Sequence, residues 1–125
     1  MDVRLLWHRE TRRRHPMRIT AVKIGARTFA VDLWPFQDAE DEGARGDFNY
    51  RTGRIRIADG YAPSAQVETL LHEIVHALLK DSALDFSNDA EEERIVERLS
   101  PRLAAFLVDN PDVVREIMAM LGCVE

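Results

Sequence analysis

Two histidines and one glutamate in the middle of the chain stand at a spacing suited to metal chemistry. His72 and His76 are four residues apart, and Glu73 directly follows the first of them. On an α-helix, residues four apart lie on one face, so both imidazoles can bind the same metal ion. Glu73 would then lie beside the metal and act as a general base on a water molecule bound there. The spacing therefore predicts a catalytic zinc site with His72 and His76 as ligands.

The residues around this motif have the period of an amphipathic helix. Its apolar stripe comprises Val67, Leu70, Leu71, Ile74, Val75, Leu78 and Leu79. Ala65, Thr69 and the two histidines fall beside the stripe, on a face opened by small residues, where a cleft is expected. A histidine that only fills the core would be expected inside the stripe. The pattern therefore favours a metal site over histidines placed at the surface by accident.

A catalytic zinc ion normally has three protein ligands and one open position for water. The next segment with helical periodicity runs from about Ala90 to Val108 and begins with consecutive glutamates. Its apolar stripe comprises Ile95, Val96, Leu99, Leu103, Phe106 and Leu107. At about 100° per residue, Glu92 falls at the centre of this stripe, whereas Glu91 and Glu93 fall to either side. A carboxylate buried there needs a strong partner, so the helical wheel predicts Glu92 as the third ligand.

Alternatives to Glu92 as the third ligand stay open. Glu93 is the next choice, because a small rotation of the stripe would favour it. His8 and His15 are weaker candidates, since they lie in a segment without evident structure. Glu92 could instead serve only its own helix, because a negative charge in the first helical turn is favourable.

The residues that precede the motif predict a small sheet. Residues 17–24 and 28–34 are rich in β-branched and aromatic side chains with a turn between them, which is typical of a β-hairpin. Residues 54–58 predict a third strand that pairs with residues 48–50 through a tight turn. The stretch 35–46 is acidic and rich in turn-forming residues, which predicts a mobile loop.

Three helices are expected to follow the strands. The first runs from about Ala65 to Lys80 and contains the histidines, with Ser64 as a plausible N-cap. Pro101 should kink the second helix, 90–108, or divide it in two. A short final helix is predicted over 113–121, and the chain as a whole is assigned to the α+β class.

Length and composition limit the classes of protein to consider. At 125 residues the chain is long enough for one hydrophobic core and too short for two, so 1–125 is expected to be a single domain. The net charge of -5 argues against nucleic acid as the main partner, although residues 1–16 are locally basic. No apolar run approaches the length of a membrane span, and no signal-peptide pattern is visible. The only cysteine, Cys123, cannot form an internal disulfide, so a cytoplasmic location is expected.

Together these features resemble those of small zincins of the gluzincin type, which carry H-E-x-x-H on one helix and a glutamate on the next. More narrowly, the chain is similar to the compact ImmA/IrrE-like and SprT-like metallopeptidases of bacteria and phages. The resemblance extends over residues 17–111 and includes the hairpin at 22–25, the strand at 55–57 and the helical segments at 69–76 and 92–96. Only H-E-x-x-H is a specific motif, and the Glu-Ala-Asn signature typical of ImmA/IrrE proteins does not occur.

The resemblance implies a zincin-like fold, in which a small twisted β-sheet packs on the active-site helix and a second and a short third helix follow. It also implies hydrolysis of a protein or peptide substrate, with Zn²⁺ held by His72, His76 and Glu92. A zinc-bound water would attack the peptide bond, with Glu73 as the general base.

The strand at 54–58 is expected to lie at the edge of the sheet, where an extended substrate pairs through main-chain hydrogen bonds. The predicted substrate-binding residues are therefore Arg54, Ile55, Arg56 and Ile57. A further donor should stabilise the developing oxyanion. The candidates for this role are Tyr50, Tyr61 and Arg56.

Two other classes of function remain open. In the first, the metal is a structural staple in a protein-binding domain, closed by a fourth ligand for which Asp85 or Asp89 is available. In the second, the arginine-rich residues 1–16 contact nucleic acid, with binding that falls steeply as salt is added. The acidic remainder of the chain argues against this second class.

Overall fold

The computed structural model describes residues 17–82, 86, 88–120 and 122. The strands in this part of the chain are β1 (Ala21–Ile24), β2 (Arg27–Trp34), β3 (Gly46–Asn49) and β4 (Arg54–Ala58). The helices are α1 (Phe36–Glu42), α2 (Pro63–Asp81), α3 (Asp89–Asp109) and α4 (Pro111–Met120). None of these described helices has the length and apolar composition needed to cross a membrane. The arrangement confirms the predicted α+β class.

The four strands form one mixed sheet in the order β1-β2-β4-β3. β1 and β2 pair antiparallel, with Val22 opposite Phe29, which confirms the predicted hairpin. β3 and β4 also pair antiparallel, with Phe48 opposite Ile55, as the turn between them predicts. β2 and β4 are parallel, with Val31 opposite Ile55. This last pairing joins two segments that are distant in the chain.

β4 is an interior strand, so the prediction that residues 54–58 form an edge is wrong. The strand is hydrogen-bonded to β2 on one side and to β3 on the other. Ile55 and Ile57 are fully buried. A strand with such buried side chains is better shielded from water in the middle of a sheet than at its edge. Among the described strands, the edge on this side of the sheet is β3.

The stretch predicted as a mobile loop, 35–46, contains helix α1 and the start of β3, so that prediction is also wrong. Ala39 of α1 is buried in a small second core with Trp34. The backbone N–H of Phe36 donates to Asp59 Oδ1 at 2.8 Å. A glycine in the left-handed conformation then ends the helix. These tertiary and terminal contacts order a segment whose local composition is typical of a loop.

The main core lies between the sheet and α2. Its buried members are Ile24, Phe29, Val31, Ile55, Ile57, Leu70 and Ala77. Core residues of the same strand are two positions apart in the sequence, and the two core residues of α2 are seven positions apart. Each group therefore lies on a single face of its strand or helix. The rings of Phe48 and Tyr50 pack on Phe29 at centroid distances of 5.7 and 5.9 Å. This packing joins β3 and the turn that follows it to the core that α2 covers.

Helix α2 begins at Pro63, with Ala62 at the N-cap and no capping side chain. Ser64 therefore lies inside the first turn and is not the N-cap, because proline is well suited to the first helical position. The buried residues of α2 are Gln66, Leu70, Glu73, Val75 and Ala77. Val67 and Leu78 of the predicted apolar stripe are exposed, so the buried face is rotated toward the glutamate of the motif.

Helix α3 packs on α2 and continues through Pro101 without being divided. Its buried residues are Val96 and Ser100. Much of the stripe predicted to be buried is on the surface, and Leu99 is 48% exposed. Helix α4 follows after one residue, Asn110.

Candidate metal centre

His72 and His76 lie one turn apart on the same face of α2, as their spacing predicts. Their ring centroids are 5.0 Å apart, with the ring planes at 64°. Both side chains are partly buried, His76 more than His72. The Nε2 atoms of both rings face helix α3, where a carboxylate lies against them.

This carboxylate belongs to Glu93. Its Oε1 lies 3.0 Å from His72 Nε2, and its Oε2 lies 2.9 Å from His76 Nε2. Each of the three residues offers one ligand atom within 4.8 Å of the other two. Two imidazole nitrogens and a carboxylate oxygen are a common donor set of catalytic zinc sites. The three residues therefore fit a zinc ion.

Glu92 contacts the same site from another side. Its Oε2 lies 2.9 Å from His76 Nδ1, the ring nitrogen that does not face Glu93. A proton on Nδ1 donated to Glu92 leaves Nε2 free as a ligand atom and sets the orientation of the ring. The structure therefore places Glu92 behind a histidine and places Glu93, the alternative weighed from the sequence, where a third ligand would lie.

The prediction that only Glu92 points at α2 is wrong because it assumed the wrong buried face of α3. The buried residues are Val96 and Ser100, near one side of the apolar stripe. Glu93 is three residues before Val96 and seven before Ser100, so it shares their face. Glu92 is four residues before Val96 and flanks the same face from the other side. Both glutamates consequently reach α2.

Glu73 is buried next to the histidines, with 6% of its surface exposed. Burial disfavours the charged carboxylate and raises the pKa of Glu73 to about 7, although the nearby His76 opposes this rise. The negative charges of Asp47 and Glu93 contribute to this rise. A carboxylate with a pKa near neutrality can accept and release a proton at physiological pH, as a general base must.

The edge strand β3 passes close to α2 beside this glutamate. A Cβ atom on Gly46 would lie 2.6 Å from Thr69 Cγ2, 2.9 Å from the carbonyl oxygen of Arg56 and 3.5 Å from Glu73 Oε2. The position has no room for a side chain, and glycine permits the close approach. Sequence patterns alone do not single out Gly46, because a glycine in a polar, acidic stretch has the signature of a turn.

Two cavities, of about 570 and 530 Å³, adjoin the histidines. Gly46, His72, Glu73 and Glu93 line both of them, so the two meet at the candidate site. The first extends between α2 and α3, and the second extends along β3 as far as Tyr50. The site therefore lies in a groove that is open on either side.

The four predicted substrate-binding residues of β4 lie away from this groove. Ile55 and Ile57 are fully buried in the core. Arg54 and Arg56 alternate with them and project from the opposite face of the sheet, where each pairs with an aspartate. None of the four lines either cavity. This prediction fails because it rested on β4 being an edge strand.

Of the three candidate oxyanion donors, Tyr50 lines the groove. Tyr61 donates its hydroxyl to Glu40 and lines a separate, smaller cavity. Arg56 lies on the far face of the sheet, with its guanidinium 3.9 Å from the ring centroid of Trp34. Tyr50 is therefore the donor that the geometry retains.

Several residues considered in the sequence analysis lie outside the described residues: His8, His15, Asp85 and Cys123. The basic segment 1–16 also lies outside them. Asp89, the other candidate for a fourth ligand, lines the second cavity. It does not belong to the group of described residues whose ligand atoms converge. Within the described part of the chain, the convergent set thus consists of three residues.

No protein-family model matches this chain. Comparisons with curated proteins and with solved structures also found no match. The interpretation of the site therefore rests on its chemistry and geometry.

Proposed function

We propose that this chain is a zinc-dependent metallopeptidase, similar in its site to the small zincins of the ImmA/IrrE-like and SprT-like kinds. One observation carries the proposal: a buried glutamate whose pKa lies near neutrality stands beside three convergent metal-binding side chains. All of these groups border one open groove. A catalytic zinc site needs this combination of a base, a three-ligand set and access for a substrate.

His72, His76 and Glu93 would hold the ion, and Glu92 would orient His76 through its Nδ1. Zinc, when bound, supplies Lewis-acid activation of water and of the scissile carbonyl group. Glu92 is retained in the site as a positioning residue, since partners of metal-binding histidines tune both the orientation and the basicity of the ligand.

Glu73 would perform the proton transfers of the reaction. Its carboxylate takes a proton from the attacking water as the water oxygen adds to the carbonyl carbon. It then delivers this proton to the amide nitrogen as the carbon–nitrogen bond breaks, so that one group acts first as base and then as acid. A pKa near 7 suits both directions of transfer at neutral pH.

The substrate would be an extended peptide segment that pairs with the free edge of β3. Main-chain hydrogen bonds to an edge strand hold a peptide largely independently of its sequence. β3 borders the second cavity beside Glu73, so a peptide bound there would have its backbone next to the base. Tyr50, which also lines that cavity, is proposed as the donor to the oxyanion.

A structural zinc site in a protein-binding domain is the rival function. It would require a fourth protein ligand that closes the site, and Asp89 is the candidate within the described residues. The open groove favours the catalytic interpretation. The two are separated by the effect of Glu73→Gln, since a structural site does not need a base.

The test is peptide-bond hydrolysis in a mixture of unstructured peptides, followed by mass spectrometry, with zinc-loaded protein. The parent protein should cleave internal peptide bonds, a chelator should stop cleavage, and added zinc should restore it. Glu73→Gln should abolish cleavage while the variant keeps one zinc per chain. Glu91→Gln, in the same run of glutamates, serves as the matched control and should remain active. Full activity in zinc-loaded Glu73→Gln would refute the proposed base.

A further inference from the structure

Helix α3 exposes a row of apolar side chains to one side of its buried face. Ile95, Leu99 and Phe106 form this row, and all three are exposed. They are four and seven residues apart, so they follow one line along the helix. We call this line the apolar row. Contiguous apolar surface of this kind is typical of protein interaction sites.

Among the described residues, helix α4 has no extensive packing partner. It is 10 residues long, and Val113, Met118 and Met120 on it are exposed, Met120 to 79%. Isolated helices shorter than about 12–15 residues are marginally stable in water. The helix therefore needs a surface on which to pack its apolar side.

The apolar row of the same molecule cannot serve as this surface. Asn110 alone separates the end of α3 from the start of α4. Antiparallel neighbouring helices are usually joined by roughly two to eight residues. The direct connection keeps α4 from folding back along α3, so α4 does not cover the apolar row of its own molecule.

The charges beside the two apolar surfaces are complementary. On α3, Arg94 and Arg98 directly precede Ile95 and Leu99, and neither makes an ion pair with a carboxylate among the described residues. On α4, Asp112 directly precedes Val113 and pairs with Arg115 of its own helix at 2.9 Å. Glu116 lies one turn further along the same side and makes no ion pair among the described residues. A basic line thus borders the apolar row, and an acidic line borders the apolar side of α4.

The direction of pairing follows from the handedness of these lines. On α3 and on α4, each charged residue comes one position before an apolar residue in the sequence. The line of charged residues therefore lies on the same side of the line of apolar residues in both helices. When two helices pack antiparallel through their apolar lines, the residues on a given side of one line face the residues on the same side of the other line. An antiparallel pair of α3 and α4 would therefore bring Arg98 and Glu116 to the same side of the interface.

We propose that the chain forms a two-fold symmetric dimer in which α4 of each protomer packs antiparallel on the apolar row of its partner. The lengths are similar, since at 1.5 Å per residue the 10 residues of α4 measure roughly 15 Å and the span from Ile95 to Phe106 measures roughly 18 Å. Two-fold symmetry forms the contact twice. The proposal does not depend on the peptidase function.

The test is the mass of the full chain by light scattering after size-exclusion chromatography, combined with sedimentation over a wide dilution series. The parent should have twice the 14.3 kDa mass of one chain and should dissociate on dilution. Leu99→Glu should raise the dissociation constant by roughly a hundredfold or more, because it places a charge in the centre of the contact. Leu33→Glu is the matched control: Leu33 is 55% exposed on β2, outside the proposed interface, and this variant should dimerise as the parent does.

Charge reversal identifies the helices that meet. Arg98→Glu and Glu116→Arg should each weaken the dimer by about three- to tenfold, since each affected pair occurs twice. The double variant should recover most of the parent's affinity. Circular dichroism of each variant separates loss of association from loss of the fold.

Three results would overturn the proposal. The first is a monomer at every concentration. The second is a dimer in which the two charge reversals simply add, without recovery in the double variant. The third is a monomer that loses thermal stability on Leu99→Glu, since the apolar row would then be covered by a segment of its own chain.

Discussion

The sheet with α2 and the pair of carboxy-terminal helices differ in how their apolar residues are used. Phe29, Ile55 and Ile57 of the sheet are completely buried, and α2 packs on both the sheet and α3. Helix α3 buries only Val96 and Ser100, and α4 exposes most of its side chains. One region completes its packing inside the molecule, and the other leaves apolar surface available for a partner.

The candidate metal centre lies where these two regions meet. The histidines and Glu73 belong to the well-packed helix α2, whereas Glu92 and Glu93 belong to the less buried helix α3. Two of the three candidate ligands are therefore fixed by the core, and the position of the third, Glu93, depends on how α3 is held. Because metal binding joins ligands from both helices, it should stabilise the weaker region most.

The largest effect is expected for the ligands on α2. His72→Ala and His76→Ala should each reduce bound zinc from one per chain to almost none, because two remaining ligands rarely hold zinc at a catalytic site. Elemental analysis after reconstitution and dialysis measures this. Retention of a full equivalent in either variant would show that the ion binds elsewhere.

The next prediction compares the two glutamates of α3. Glu93→Ala should weaken zinc binding more than Glu92→Ala, for which a loss of about 10–100-fold is typical of a residue behind a ligand. Glu91→Ala should have little effect and serves as the control. Competition with a calibrated zinc chelator gives the affinities. A larger loss for Glu92→Ala than for Glu93→Ala would restore the ligand originally predicted from the helical wheel.

A smaller effect is expected on the stability of the metal-free protein, through Glu73. Its pKa is about 7 in the folded protein and 4.5 in the absence of burial. Between these values the folded chain holds a proton that the unfolded chain has lost, so stability falls as the pH rises through this window. Glu73→Gln removes this penalty and should stabilise the metal-free protein above pH 7 by up to roughly 3 kcal/mol.

Below the unfolded pKa the two proteins should have similar stability, because the carboxyl group is then neutral in both states. Urea unfolding with chelator present, at a pH above 7 and at one below 4.5, measures the difference. A variant that is less stable than the parent at the higher pH would show that the charged carboxylate is stabilised where it lies.

The smallest effect concerns the approach of β3 to α2. Gly46→Ala places a methyl group 2.6 Å from Thr69 Cγ2 and should destabilise the fold by about 1–3 kcal/mol, as overpacking does. Thr69→Ser removes that Cγ2, so the double variant should recover part of the loss. The recovery should be incomplete, because the carbonyl oxygen of Arg56 remains 2.9 Å away. Unchanged stability in Gly46→Ala would mean that the strand moves freely at this point.

Local patterns in the sequence were sufficient for the features that depend on neighbouring residues. The two hairpins, the helix with the histidines and the shared face of His72 and His76 follow from periods of two and four residues. The peptidase function and the zinc ion remain predictions from the same motif. Short-range geometry is the same in every protein, and for this reason these features can be inferred without tertiary structure.

Tertiary structure decided three features that the pattern alone did not. Pairing of β2 with β4 makes β4 an interior strand and transfers the free edge to β3. Packing of Ala39 beside Trp34 turns an acidic stretch into helix α1. The packing of α3 on α2 through Val96 and Ser100 directs Glu93, and not only Glu92, toward the histidines.

These three outcomes share a physical reason. An apolar stripe shows which side chains prefer to leave water, but it does not identify the surface that covers them. On α3 the centre of the stripe is left exposed and one side of it is buried, so a wheel centred on the stripe points to Glu92 alone. The sequence by itself determined the histidine pair and the glutamate beside it, whereas contacts between distant segments decided which carboxylates lie against the histidines.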